Sequence, residues 1–277
     1  MTHSPAMPGG TSGSPDDSTV DLEVDFSGNP IWDDPNLTNP HVRSDKADAV
    51  QKMFSAIAPS YDLNNRVHSF GRDQAWRKYA VKAAAAKPGE TIIDIACGTG
   101  DLTEAFAQSP ATKVIGIDFT PAMLDVARAK LRTRPQQMIR RVEYREGDAM
   151  NLAIDSATAN VVSIAFGIRN VSEPKKAIAE FFRILKPGGR LVILEFDRPR
   201  SAPMSWAYDF YCGWLMPRTA TLLSRDKSGA YRYLPASVGS FMTRDEMKSA
   251  LAEAGFCNIT AKPLTFGICI CYRAEKK

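Results

Sequence analysis

The sequence predicts a doubly wound α/β domain, a mostly parallel sheet covered by helices on both faces, behind an N-terminal helical segment. Three observations lead there. After Pro88-Gly89, short runs rich in β-branched residues alternate with stretches of helical periodicity, the order produced when parallel strands are joined by crossover helices. One run, "TIIDIACGTGDLT" (residues 91–103), passes from strand formers through two glycines directly into a helical pattern. The chain also carries enough apolar material, 44% of 277 residues, to bury one large core.

Residues 1–45 are rich in Ser, Pro, Gly, Asp and Thr without apolar periodicity. They are expected to stay disordered, because burial there cannot offset the entropy of ordering. From Lys46 onward, Ala49, Val50, Met53, Phe54 and Ile57 recur at helical spacing, and Pro59 is expected to end that helix. Strands are expected at 91–96, 113–118, 142–146, 160–166 and 190–195, with helices at 101–108, 121–131 and 174–185 between them. Thr120-Pro121 reads as an N-cap followed by proline at the first helical position, and Pro187-Gly188-Gly189 as the stop of the third helix. A helix at 243–254 and late strands at 259–261 and 265–273 complete a seven-stranded sheet. The expected organisation is a tail (1–45) and one domain (46–277), with a helical cap at 46–82 and a lid-like insertion at 197–242.

Composition narrows the class of function. No segment approaches the roughly 18 uninterrupted apolar residues of a spanning helix, and MTHSPAMPGG lacks the apolar run of a signal peptide. A cytoplasmic location is therefore expected. Five cysteines (Cys97, Cys212, Cys257, Cys269, Cys271) are odd in number and form no CxxC pair, which points to neither a disulfide framework nor a metal site. Cys269 and Cys271 would share one strand face as small buried thiols. Beyond residue 45 lie 34 of the 35 basic residues but only 23 of the 31 acidic ones. Such an excess suits an anionic partner, nucleic acid or a membrane surface.

Held to the dinucleotide pattern GxGxxG, the loop reads Gly98-Thr99-Gly100-Asp101-Leu102-Thr103, so the third glycine is missing. A pyrophosphate at the helix start would meet Asp101, whereas a cationic ligand would not be repelled. S-adenosylmethionine is such a ligand: it has a sulfonium and an ammonium but no phosphate, and it needs Gly98 and Gly100 for close backbone approach. Asp94 lies four residues before Gly98, where it could meet the ammonium; Asp118 ends the second strand, where a carboxylate takes ribose hydroxyls. Asp148 follows the third strand beside Ala149, suitably placed for the adenine edge. Together these acids would line one crevice.

This layout resembles the class I S-adenosylmethionine-dependent methyltransferase fold, Rossmann-like and doubly wound. Three further stretches, "YDLNNRVHSFGRDQAWR" (61–77), "AFGIRNV" (165–171) and "RILKPGGRLVILEF" (183–196), with "YRYLPASV" (231–238), are similar to the ubiquinone/menaquinone biosynthesis C-methyltransferase family. That resemblance spans about residues 46–273. It implies methylation of a ring carbon of a polyprenylated quinol, most commonly demethylmenaquinol to menaquinol. By position it implies cofactor contacts from Thr99, Asp118, Asp148, Ala149 and Ala165. The chain departs from the family where Ala165 replaces a frequent serine, where Asp197 replaces the usual serine after Phe196, and where Tyr272 replaces a frequent histidine.

Quinol C-methylation requires an in-line arrangement of donor and carbon and stabilisation of a phenolate. Arg169, following the fourth strand, is the candidate phenolate partner because it stays charged. His68, the sole histidine outside the tail, is the candidate base, since imidazole titrates near neutrality. Its competing role is plain packing or capping. Tyr61, Asp62, Asn65, Tyr231 and Tyr233 are further candidates for ring contacts, with core packing an equal alternative for the tyrosines. The aromatic run "WAYDFYCGWLM" (206–216) could line an isoprenoid channel, pack in the core or make peripheral contact with the inner face of the membrane.

Alternatives stay open. The acceptor could be 2-methoxy-6-polyprenyl-benzoquinol of ubiquinone biosynthesis, or another phenol or lipid. A nucleic-acid methyltransferase is disfavoured, because the Pro-Pro-aromatic and Pro-Cys motifs of those enzymes are absent. A binding module without catalysis would not require the intact loop and its acids. Self-association as a homo-oligomer is left open.

Overall fold

The computed structural model describes residues 31–32, 34–216, 218–220 and 228–277, together with Met1. Its strands are β1 (Thr91–Ile95), β2 (Lys113–Asp118), β3 (Val142–Glu146), β4 (Ala159–Ala165), β5 (Leu185–Phe196), β6 (Cys257–Leu264) and β7 (Cys269–Glu275). They form one sheet in the order β3-β2-β1-β4-β5-β7-β6. The first five run parallel; β7 pairs antiparallel with both β5 and β6.

Strand side chains alternate between two buried layers. Ile93, Ile95, Ile115, Ile117, Val162 and Ile164 pack in one core cluster, while Ile92, Val114 and Val161 pack in another on the opposite face. That period of two explains the unbroken apolar runs: a strand covered on both faces has no solvent side to make polar. Cys269 and Cys271 are buried in the second cluster, and all five cysteines are free thiols.

The helices are α1 (Lys46–Ile57), α2 (Tyr61–His68), α3 (Arg72–Ala84), α4 (Asp101–Ala107), α5 (Pro121–Arg132), α6 (Pro174–Ile184), α7 (Ala202–Phe210), α8 (Ala230–Gly239) and α9 (Arg244–Glu253), with shorter turns between them. Pro59 sits in a single 3-10 turn between α1 and α2. Helix α9 begins at a capping box between Thr243 and Glu246. Helix α7 widens into a π-helical turn over Tyr211–Leu215.

Several boundaries differ from the sequence expectation. Helix α6 ends at Ile184, ahead of the proline-glycine turn, and β5 already begins at Leu185 opposite Ala159. The 186–189 stretch is an irregularity inside the strand pairing, because the register shifts between Ala159 and Val161. The first late strand is longer than expected, since its exposed residues show little apolar pattern, and the second starts later, at Cys269, because Thr265–Gly267 form a 3-10 turn. Thr120 is the residue before α5 but makes no side-chain cap; the Asp118 carboxylate takes the Thr120 N–H instead.

Of the 45 residues read as a tail, 2–30 and 33 lie outside the described residues. Trp32 is fully buried and packs at a tilt against Tyr233 with ring centroids 4.3 Å apart. His41 reaches the Ser237 carbonyl at 2.9 Å. Packing thus extends N-terminal of residue 46, where Trp32 and Pro40 are buried and Ile31 and Leu37 pack beside Trp32, none of them flagged by periodicity.

Two glycines are required by close approach. A Cβ on Gly167 would lie 2.6 Å from the Ala96 Cβ, so the ends of β1 and β4 can meet only without it. Gly100 has φ +87°, and a Cβ there would lie 2.1 Å from the Tyr144 hydroxyl. Gly100→Ala should therefore destabilise the fold and lower its melting temperature, costing about 1–2 kcal/mol from the left-handed backbone alone, plus the displacement of the tyrosine ring. Tyr144→Phe in the same chain should recover part of the loss; a Gly100→Ala protein that melts with the wild type would refute this account.

Candidate active site

The parallel strands send their C-terminal ends to one edge, and the connections diverge between β1 and β4. A crevice opens at such a switch point. A cavity of about 120 Å3 lies there, lined among others by Gly98, Asp118, Asp148, Ala149 and Ala165. Asp118 holds its near wall: Oδ2 accepts the Gly98 N–H at 2.7 Å and Oδ1 the Thr120 N–H at 2.8 Å. Burial nevertheless pushes its carboxyl above the ordinary value, outweighing those amide donors. Asp148 accepts the Met150 N–H at 2.8 Å.

Among the described residues, no lysine or arginine lines this cavity. Two carboxylates without cations favour a positively charged ligand that offers hydroxyl donors, and they repel a phosphate. The residues present therefore fit S-adenosylmethionine, with Asp118 and Asp148 on the lining and Gly98 presenting bare backbone.

Three expected cofactor residues stand behind the lining. The Asp94 carboxylate is buried and accepts the hydroxyls of Thr103 and Ser163, each at 2.7 Å. It faces the layer between sheet and α4, because alternation puts it on the side of Ile92 and away from the crevice. The Thr99 hydroxyl donates to Asp62 at 2.5 Å, so it ties the loop to α2. Gly100 serves the Tyr144 contact described above. Asp101 is likewise turned to protein: Lys130 donates to it at 2.6 Å, Gln74 at 3.1 Å and Arg66 at 3.3 Å. Burial raises its carboxyl, but Lys130 beside it more than offsets that and holds it below the ordinary range.

The cavity also takes Phe119, Thr120, Met123, Asn170, Val171 and Ser172, and its outer side is closed by Ala47, Val50 and Phe54 of α1 and Tyr61 of α2. Apart from Tyr61, a ring-contact candidate, sequence reasoning gave none of these a place in the site. The signal for some was adjacency, since Phe119 and Thr120 directly follow Asp118 and Asn170 follows Arg169; the α1 residues carried none beyond helical periodicity.

A second cavity of about 480 Å3 adjoins the first and shares Phe54, Tyr61 and Phe166 with it. His68, Asn65, Tyr61 and Arg169, the expected catalytic residues, all line it, as do Tyr231 and Tyr233. Arg169 is buried; Nη1 donates to Glu195 at 2.6 Å and to the Phe166 carbonyl at 2.7 Å, and Nε to Ser237 at 3.3 Å. Lys46 steadies the same turn by donating to the carbonyls of Arg169 (2.9 Å) and Val171 (2.7 Å), and burial lowers its ammonium to about 8. His68 Nδ1 lies 2.9 Å from the Asn64 carbonyl, so that nitrogen carries the proton; Nε2 faces the Thr219 hydroxyl at 3.0 Å. The aromatic wall is built from Trp76, Phe166 and Phe196, with Phe166 and Phe196 centroids 4.5 Å apart. Arg77 lies over Phe166 and Arg169 over Phe196, each at 5.4 Å.

Sequence reasoning missed the Asp73–Arg77 pair (3.0 Å), which also lines this cavity. Its signal was the i, i+4 spacing in "DQAWR", which reads equally well as an ordinary helix surface. Asp62, placed among the ring-contact candidates, points to the loop instead, taking Thr99 and, at 2.6 Å, Lys130.

Asp94 gives a pH test. Desolvation raises its carboxyl to about 6, more than its hydroxyl donors lower it. The buried acid thus contributes stability while protonated, and that contribution drains away as pH rises from 3.8 through about 6. Asp94→Asn keeps the shape, and one hydroxyl can turn to accept from the amide. In ligand-free protein its stability relative to wild type should rise over that range by on the order of 3 kcal/mol. Thermal melts of both proteins that run parallel across the range would contradict the placement.

Comparison with known proteins adds the lineage. Residues 41–276 match the model of the ubiE/COQ5 methyltransferase family. The ubiquinone/menaquinone biosynthesis C-methyltransferase UbiE of Erwinia tasmaniensis is 37% identical over 236 residues, covering 84% of this chain and 93% of its own. The protein of the same name from Photorhabdus laumondii is 38% identical with the same coverage. Among solved structures, a SAM-dependent methyltransferase of Thermotoga maritima aligns with a TM-score of 0.57 at 20% identity, over 82% of this chain and all of that one. Phosphoethanolamine N-methyltransferase 2 of Haemonchus contortus, in complex with S-adenosyl-L-methionine, aligns with a TM-score of 0.54 at 15% identity, over 73% of this chain and 52% of that one. The solved structures share the fold, and the sequence relatives carry the closer kinship: this chain belongs to the ubiE/COQ5 methyltransferase family and is an S-adenosylmethionine-dependent methyltransferase.

Proposed function

We propose that the chain is a C-methyltransferase of quinone biosynthesis that methylates a ring carbon of a polyprenylated quinol, converting demethylmenaquinol to menaquinol. The observation that carries this reading is the large aromatic-walled cavity joined to the acid-lined one across Phe54, Tyr61 and Phe166. A flat ring seated against Trp76, Phe166 and Phe196 would stand beside the donor cavity, and a volume of about 480 Å3 leaves room for the start of a prenyl chain. The relatives' printed names support a quinone pathway and cover both the ubiquinone and the menaquinone branch. The ubiquinone step, on 2-methoxy-6-polyprenyl-benzoquinol, is therefore the second reading.

When bound, S-adenosylmethionine supplies an electrophilic methyl on a positively charged sulfur. Asp118 and Asp148 would hold its hydroxyls and its adenine edge, with Gly98, Ala149 and Ala165 forming the apolar and backbone surround. In the neighbouring cavity the guanidinium of Arg169 stabilises a developing phenolate. Glu195 already balances its charge, so the stabilisation is a directed hydrogen bond in a dry site more than a net positive field. His68 Nε2 accepts the quinol proton directly or through the Thr219 hydroxyl, with the Asn64 carbonyl fixing the tautomer. Tyr61 and Asn65 orient the ring. A quinol of this kind lives in the bilayer, so the enzyme meets its acceptor at the inner face of a membrane.

The test supplies labelled S-adenosylmethionine with demethylmenaquinol or the methoxybenzoquinol. Label is expected in menaquinol, and label in neither product would overturn the reading. Removing Arg169 alone leaves Glu195 buried without its partner, at about 3–5 kcal/mol; the paired variant Arg169→Gln/Glu195→Gln avoids that. It should bind the cofactor normally and lose turnover roughly a hundredfold or more, whereas Asp118→Ala should lose cofactor affinity. Equal cofactor binding by wild type and Asp118→Ala would refute the ribose site.

A further inference from the structure

Helix α7 and the π-helical turn after it have two apolar faces. Ala207, Tyr208, Tyr211 and Cys212 roof the large cavity. On the opposite side, Trp206, Phe210 and Trp214 project into solvent, 73%, 52% and 51% exposed. They are spaced four residues apart and their rings stack in a ladder, with centroids 6.2 Å and 5.5 Å apart. The ladder continues toward α2: Phe70 is 79% exposed and its ring lies 5.7 Å from that of Tyr211, whose hydroxyl donates to the His68 carbonyl at 2.9 Å. Leu63 and Val67 extend the exposed apolar surface along α2.

A soluble chain gains nothing from exposing three stacked large rings. Five arginines rim this surface, Arg66, Arg72, Arg198, Arg200 and Arg218. Arg66 pairs with Asp73 and Asp101 and Arg200 lies 4.0 Å from Asp245, whereas Arg72 and Arg218 are held in no salt bridge among the described residues. Arg218 lies 4.8 Å over the Trp214 ring, while Arg198 pairs with Asp209. Aromatic rings rimmed by arginine match the boundary between acyl chains and anionic headgroups.

We propose that the outer face of α7, with Phe70 beside it, docks on an anionic bilayer surface and sets the roof of the large cavity against the membrane. Resting on the quinol reading above, this places the acceptor's prenyl chain so that it passes from the bilayer beneath the lid while the ring reaches Arg169. The docking itself requires no quinol.

The four tryptophans make this measurable. Trp32 and Trp76 are buried, so Trp206 and Trp214 are the ones that bilayer contact would change. The full chain is mixed with vesicles of phosphatidylcholine alone or of phosphatidylglycerol, and binding is read by flotation and by tryptophan quenching with brominated lipid. Binding to phosphatidylglycerol vesicles with quenching is expected, and it should weaken as salt is raised. The variant Trp206→Ser/Phe210→Ser/Trp214→Ser should bind at least about tenfold more weakly, since each ring removes a substantial apolar contact. None of the three lines either cavity, so the variant should keep its melting temperature and its activity on a short-chain quinol, and lose activity on a long-chain quinol held in vesicles. Undiminished vesicle binding by the triple variant would overturn the proposal. So would a wild type that ignores vesicles and forms a dimer abolished by the same substitutions, which would assign the face to a second copy of the chain. If no quinol is methylated but the vesicle results hold, the acceptor reading fails and the docking surface stands.

Discussion

Asp118 joins the glycine loop to the second strand: one of its oxygens takes the Gly98 N–H and the other the Thr120 N–H. A single carboxylate therefore sets the end of β1, the end of β2 and the start of α5 relative to one another. Held by two amides, it is buried, and those donors offset part of the desolvation that raises its carboxyl. The same oxygens keep further lone pairs for a ligand's hydroxyls. One group thus shapes the cavity and, with Asp148, gives it its acidic lining, and most of the remaining wall is apolar.

The N-terminal helices complete the site from the other side. Asp62 and Asp101 share Lys130, and Asp62 also takes the Thr99 hydroxyl, so α2 is fastened to the loop through charges that never reach the ligand. Lys46 grips the turn after β4 by two carbonyls. Tyr61 and Phe54, on these helices, form part of the boundary between the two cavities. The cap is consequently a wall of both cavities as well as a cover.

The larger cavity is lined by both members of one buried ion pair, Asp73–Arg77, and by the arginine of another, Arg169–Glu195. Pairs of this kind contribute little net stability, because desolvation consumes most of the attraction. What they provide is orientation: each guanidinium is fixed over an aromatic ring, where a planar acceptor can be met by a pre-set donor without reorganisation.

The strands of the sheet and the acids at their ends were legible in the sequence, because hydrophobic period and glycine position are local properties; the strand order came only with the fold. Family motifs such as "FGIRN" and residues 61–77 also pointed to the class of acceptor. What no local pattern could decide is which way an acid faces once the chain is folded. Asp94, Thr99 and Asp101 all lie within eight residues of one another, yet each is spent on protein: two hydroxyls, a carboxylate and a lysine. Their partners come from α4, nine residues on, and from α2, α5 and β4, tens of residues away, and only tertiary packing sets those distances. The same holds for Trp32, buried by contacts beyond any periodic pattern, and for the two faces of α7, whose rings look alike in the sequence until folding turns one set onto the cavity and leaves the other in solvent.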